Sequence, residues 1–182
     1  MNYSLNAMPL TLTTDQESDL TPAALLDGEI KIHDTLGRPL RDLRISVTDQ
    51  CNLRCSYCMP AEKYPQKNLA LQKDEWLDFD EIIRIIRLFA SLGIQKVRIT
   101  GGEPLLRKDL ALLIKKISSM SGISDIALTT NGILLAKYAK TLRDTGLKRI
   151  TVSLDAVDEK TFQRLSGRTT KINQVLLGIK EA

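Results

Sequence analysis

A repeated order of β-like run, polar turn, helix and glycine most constrains what this chain can fold into. Short β-like runs fall at residues 43–48, 96–100, 125–130 and 149–154. Helical spacing follows each of them. The first helix begins at Asp78, where Glu81 completes a capping box, and carries Ile82, Ile83, Ile85, Ile86 and Phe89 before stopping at Gly93. Further helices are expected at residues 108–120, 134–145 and 158–165, the first two ending at Gly122 and Gly146, and a last amphipathic run starts at Lys171. Strands alternating with helices in this way make βαβ units, hence an α/β fold with a parallel sheet and right-handed crossovers. An antiparallel sheet with one wet face has no use for a helix between every pair of strands. A closed eight-stranded barrel takes about 250 residues. Four strands in 182 residues therefore read as a partial barrel, or the front part of something longer, with the fourth strand an open edge.

Strands of a parallel sheet buried on both faces are usually continuous aliphatic runs. These alternate. Leu43, Ile45 and Val47 interleave with Arg44, Ser46 and Thr48, and Val97 and Ile99 with Arg98 and Thr100. Ile126 and Leu128 interleave with Ala127, Thr129 and Asn131, and Ile150, Val152 and Leu154 with Thr151, Ser153 and Asp155. A period of two puts each apolar set under the helices and each polar set on the opposite face. Burying those polar groups without partners costs roughly 1–3 kcal/mol per neutral group and more per charge. The concave face is therefore expected to hold polar ligands or water. Internal ion pairs of the two arginines with Asp49 or Asp155 are the competing reading.

All three cysteines, Cys51, Cys55 and Cys58, lie in one loop after the first strand, spaced C-x3-C-x2-C. Thiolates are soft ligands that suit zinc or iron–sulfur clusters. Structural zinc wants a fourth ligand, for which the sequence offers one histidine, His33, with no supporting spacing. A [4Fe–4S] cluster held through three irons accounts better for the count and leaves one iron open to a substrate or cofactor. After the second strand comes Gly101-Gly102-Glu103-Pro104, whose glycines let backbone approach a ligand closely.

The pairing of C-x3-C-x2-C with GGEP at these places resembles the radical S-adenosylmethionine (SAM) superfamily. Within it, residues 36–39, 41–44, 46–49, 98–105, 129–132 and 153–156 resemble the GTP 3′,8-cyclase family, which performs the first step of molybdenum cofactor biosynthesis. The resemblance runs from about Leu36 onward. It implies a partial (β/α) TIM-like barrel of about four βα units. It also implies a [4Fe–4S] cluster on the catalytic Cys51, Cys55 and Cys58, with SAM on the open iron yielding a 5′-deoxyadenosyl radical. Tyr57, Gly102 and Ser153 match SAM-contacting positions; Arg44, Arg98 and Thr129 match positions that contact GTP. Gln50 stands where the family commonly has arginine. The family's later half supplies three further cysteines for a second cluster, and these residues hold none, so the chain alone is not expected to complete the cyclisation. An external electron donor is also implied, with room for a homodimer.

Charge placement sets the remaining bounds. The net charge is +4, but residues 1–29 hold five of the 22 acids and no Lys or Arg, leaving 26 basic against 17 acidic residues, or +9, in the remainder. That balance suits an anionic small ligand. Aromatics are 4% and not interleaved with basic residues, which argues against nucleic acid, and no phosphate loop of the GxxxxGK[ST] type is present. No run approaches the roughly 20 apolar residues that span a bilayer, and the N-terminal stretch has neither a secretory nor a mitochondrial pattern. Three clustered cysteines do not make a disulfide framework, so a reducing cytoplasm is expected. Residues 1–29 read as a flexible extension and 30–182 as one core domain.

Overall fold

A computed structural model describes residues 32–64 and 76–182, so the extension expected at 1–29 lies outside the described residues. In order come β1 (Asp42–Ser46), α1 (Phe79–Ser91), β2 (Lys96–Thr100), a 3₁₀ turn (Pro104–Leu106) and α2 (Leu110–Ser118). Then follow β3 (Asp125–Thr130), α3 (Leu135–Asp144), β4 (Arg149–Val152), α4 (Glu159–Ser166) and α5 (Ile172–Glu181). The four strands form one parallel sheet in the order β1-β2-β3-β4. This is the expected α/β architecture, a partial barrel that does not close.

Local chemistry explains most of the boundaries. Asp78 caps α1 by accepting from Asp80 N and Glu81 N at 2.8 Å each, while the Glu81 carboxylate accepts from Asp78 N at 2.8 Å. Asp158 caps α4 through Thr161 N at 2.9 Å. Gly93 and Gly146 take positive φ directly after the C-caps of α1 and α3, as the stop positions require, and Gly122 does so four residues beyond the end of α2. Element ends fall within two residues of expectation, and three of the differences have local causes. β1 runs over 42–46 rather than 43–48, because Thr48 turns the chain: its Oγ1 accepts from Gln50 N at 3.1 Å and its carbonyl from the Ser46 hydroxyl at 3.3 Å. β4 stops at Val152 because β3, its pairing partner, ends at Thr130, whose carbonyl takes the last bond, from Ser153 N at 2.9 Å. α2 begins two residues late because the 3₁₀ turn and Asp109, at φ 61°, come first.

The core lies between sheet and helices. Ile82 and Ile86 of α1, Val97 and Ile99 of β2, Leu113, Ile114 and Ile117 of α2, and Leu128 of β3 are at most 1% exposed. A smaller cluster of Phe162, Ile172 and Val175 closes the far end around α4 and α5. This layer holds the apolar strand face and leaves the polar face opposite.

Two substitutions test the ranking of these terms. Ile86→Ala, at a site with 0% exposure, should lower unfolding free energy by roughly 2–5 kcal/mol. Asp78→Ala, which removes a cap, should cost about 1 kcal/mol. Denaturant titration of both checks this, and an Ile86→Ala loss no larger than the Asp78→Ala loss would contradict it.

Candidate functional site

The loop after β1 presents three free thiols, with Cys51 and Cys55 half-buried and Cys58 exposed. Cys58 N and Met59 N both donate to Cys55 O at 3.0 Å, folding the second and third cysteines into one turn. Leu53 N donates to Cys51 Sγ at 3.4 Å. The end of α4 clamps this loop from outside. Arg54 N donates to Ser166 O at 2.8 Å and Ser56 N to Leu165 O at 3.3 Å. Gly167 sits so close that a Cβ there would lie 2.2 Å from Arg54 O, and its φ of 63° independently favours glycine.

Burial pushes the Cys51 and Cys55 thiols up from the ordinary range, and the neighbouring Cys51, Asp155 and Cys58 charges push Cys55 further. The thiols thus feel one another's charge. Among the described residues, no three His, Cys, Asp or Glu side chains are gathered around a point that could hold a single metal ion. His33 pairs through its backbone with Pro39 ahead of β1, and no Cys3His ligand set is assembled among the described residues. A four-iron cube attaches each thiolate to a different corner, and three thiols spread along one loop suit that wider spacing better.

Behind the cysteines lies the Gly-Gly-Glu-Pro turn. Gly102 N donates to Thr48 O and Glu103 N to Gln50 O, both at 2.7 Å, zipping this turn to the start of the cysteine loop. A Cβ on Gly101 would lie 2.6 Å from Thr48 O, and one on Gly102 2.3 Å from Gln50 O. The glycines therefore serve a close approach between two loops of the protein itself, a requirement the sequence reading had assigned to ligand approach. Glu103, 0% exposed, is the tie the sequence reading passed over. Its carboxylate accepts from Thr130 Oγ1 at 2.7 Å, Asn131 N at 2.8 Å and Leu105 N at 3.0 Å. Burial raises its pKa from the usual carboxylate value, while the three donors pull it down. Asn131 in turn donates Nδ2 to Asn52 Oδ1 at 2.7 Å, with Cys51 Sγ at 3.9 Å.

The polar face carries the other expected residues. Arg44 and Arg98 are register partners on β1 and β2. Arg98 Nη1 donates to Thr129 Oγ1 at 3.2 Å and Thr151 Oγ1 at 3.1 Å, and Arg44 Nε reaches Thr100 Oγ1 at 3.4 Å. Neither forms an ion pair among the described residues, so the pairing with Asp49 or Asp155 is not seen. Asp155 instead accepts from the Tyr57 hydroxyl at 2.6 Å, joining the cysteine loop to the end of β4 beside the exposed Ser153. That bond, with burial second, raises the Tyr57 pKa, keeping the phenol protonated. Gly102 packs on the backbone of Asp49 and Gln50 at the start of the cysteine loop. Arg54 and Gly167 join the site with no signal in the sequence, while Glu103, Asn131 and Asp155, expected in the GGEP turn and on the polar face, take these particular partners only in the fold. The acid flanked by glycine and proline at 102–104 was the readable clue; the others depend on contacts between distant segments. The largest groove described, about 1180 Å³ between α1 and α2, is lined by residues such as Arg87, Lys115 and Met120 and includes none of the candidate residues.

Comparison with known proteins extends this picture. A family model described as the Radical SAM superfamily matches residues 45–182. GTP 3′,8-cyclases of Staphylococcus aureus strains JH9 and Newman are each 54% identical over 146 residues, covering 80% of this chain and 43% of each relative. The chain thus spans less than half the length of these relatives. A crystal structure of Streptococcus suis SuiB bound to precursor peptide SuiA superposes with a TM-score of 0.60 at 25% identity, over 76% of this chain and 29% of that one. A SuiB structure bound to S-adenosylmethionine, 24% identical with a TM-score of 0.55 over 75% of this chain and 28% of that one, shares the fold.

The Glu103 tie predicts the outcome of a near-isosteric change. In Glu103→Gln only one side-chain oxygen remains to accept, so an NH₂ must face either Asn131 N–H or the Leu105 and Thr130 donors. Leaving such a donor unsatisfied should cost about 1–3 kcal/mol of stability in the cluster-free protein, measured by denaturant titration. A Gln variant as stable as the parent would show that the carboxylate does not tie these loops.

Proposed function

The chain belongs to the radical SAM superfamily, and from that membership we propose that it carries the radical-generating core of a GTP 3′,8-cyclase-type enzyme. Cys51, Cys55 and Cys58 would hold three irons of a [4Fe–4S] cluster, and SAM would take the fourth. The donor set fits: three soft thiols on one loop, none in a disulfide, and no fourth cysteine in the sequence to close the site. When bound, cluster and SAM together supply an organic radical that abstracts hydrogen from substrate. Tyr57, Gly102 and Ser153 would line the SAM site, with Tyr57 fixed as a neutral donor by Asp155.

The observation that carries the substrate reading is the pair Arg44 and Arg98. They pair in register on neighbouring strands, whose backbones lie about 4.8 Å apart along the hydrogen-bonding direction, and among the described residues their guanidinium groups hydrogen-bond only hydroxyls. Two cations on one sheet face, held by neutral hydroxyls, leave their charge available to an anion. A triphosphate is such an anion, with oxygens that arginine contacts at more than one point. Thr129 and Thr151 hold Arg98 across the polar face toward β3 and β4, so the nucleotide would lie over that face beside the cysteine loop. These residues contain no cysteine beyond the three, so the second cluster that holds the purine in the family is not supplied by them, and the electron must come from an external donor.

Anaerobic reconstitution should load one four-iron cluster per chain, and reduction with dithionite should release 5′-deoxyadenosine from added SAM. Binding of a single zinc instead would contradict the cofactor reading. GTP binding by calorimetry should weaken roughly ten- to hundredfold in Arg98→Ala, since a hydrogen bond to a charged group contributes about 1.5–3 kcal/mol. SAM cleavage with no measurable GTP affinity would point to a different radical SAM reaction.

A further inference from the structure

Arg54 lies between the first two cysteines and is 7% exposed. Its Nη1 donates to Cys51 O and Leu53 O, both at 2.7 Å, and its backbone N–H bonds Ser166 O. Among the described residues no carboxylate pairs with it. A buried guanidinium held, among the described residues, by neutral carbonyls is costly, because two carbonyl dipoles do not replace the water and counter-ion it gave up. Lysine would suffer more from the same burial, being more strongly hydrated. The loop would fold around a neutral donor at lower cost, so the positive charge itself calls for a reason.

The neighbouring cysteines supply one. The Arg54 guanidinium is held against the first of them by the 2.7 Å bond to Cys51 O. An oxidised four-iron cluster bound by three thiolates is a net anion and gains a further negative charge on reduction. A fixed cation in a poorly hydrated place beside it stabilises both states, and the reduced state more. Net charge and hydrogen bonding near the sulfurs are among the levers that set such potentials.

Resting on the cluster reading above, we propose that Arg54 is the built-in counter-charge of the iron–sulfur site, a positioning residue whose two carbonyl bonds hold the cysteine loop and whose charge raises the cluster's reduction potential. Its role is in making the one-electron reduction by an external donor easier, without contact with substrate.

The test compares reconstituted parent, Arg54→Lys and Arg54→Gln chains by redox titration, following the reduced cluster by electron paramagnetic resonance. Gln keeps an N–H for the carbonyls and loses the charge; Lys keeps the charge. The midpoint potential should move to more negative values in Arg54→Gln and stay near the parent's in Arg54→Lys. An unchanged potential in Arg54→Gln overturns the proposal. If the Gln chain loads no cluster, loading in the Lys chain supports the charge, and equal loss in both overturns it in favour of shape alone. A parent chain that takes up no cluster under these conditions defeats the cluster reading and this proposal with it, and is distinguishable from the other results at the first step.

Discussion

The carboxylate of Glu103 is the interaction on which the rest of the site depends. It is fully buried, and it accepts from Leu105 in its own turn after β2 and from Thr130 and Asn131 at the end of β3. Its own backbone N–H goes to Gln50, on the approach to the cysteines. One residue therefore binds together the exits of three neighbouring strands. A parallel sheet by itself aligns strands but leaves the loops beyond their ends free to diverge. Here the divergence is prevented by a buried acid and two glycines that let backbone lie against backbone.

From that anchor the site extends in two directions. Toward β4, Asn131 reaches Asn52 and the neighbourhood of Cys51, and Tyr57 reaches Asp155. From the outside, α4 presses on the same loop through Ser166, Leu165 and the close approach of Gly167 to Arg54. The cysteine loop is thus held on both sides by groups that have no need of a metal. Below it, the polar strand face offers arginines whose neighbours are hydroxyls rather than carboxylates. The two features meet at the C-terminal ends of the strands, where the helical layer cannot reach to fill the space.

Much of this was legible from residue order alone. The alternation of Arg44 with Ile45 and of Arg98 with Ile99 placed those arginines on the open face, because a period of two leaves no other choice once Ile45, Val97 and Ile99 go to the core. Asp78 and Glu81 announced the start of α1, since a capping box involves only residues close in sequence. The end of β4 was misjudged because its length depends on how far β3 offers partners, which the run through Leu154 does not reveal. The glycines of the GGEP turn were legible as a close approach, but not what they approach. Nothing in the residue order marks Arg54 as buried. Its burial follows from where α4 comes to rest, and that contact joins segments more than a hundred residues apart in sequence.

Amide hydrogen exchange in the cluster-free protein tests most directly whether the loops around the cysteines are held before any cofactor arrives. The N–H groups of Gly102, Glu103 and Asn131 are bonded to Thr48 O, Gln50 O and the Glu103 carboxylate. They should exchange as slowly as the amides of Val97 and Leu128 in the central strands. Exchange at the rate of open loops, with the strand amides still protected, would show that the site is assembled by the cluster rather than by the fold.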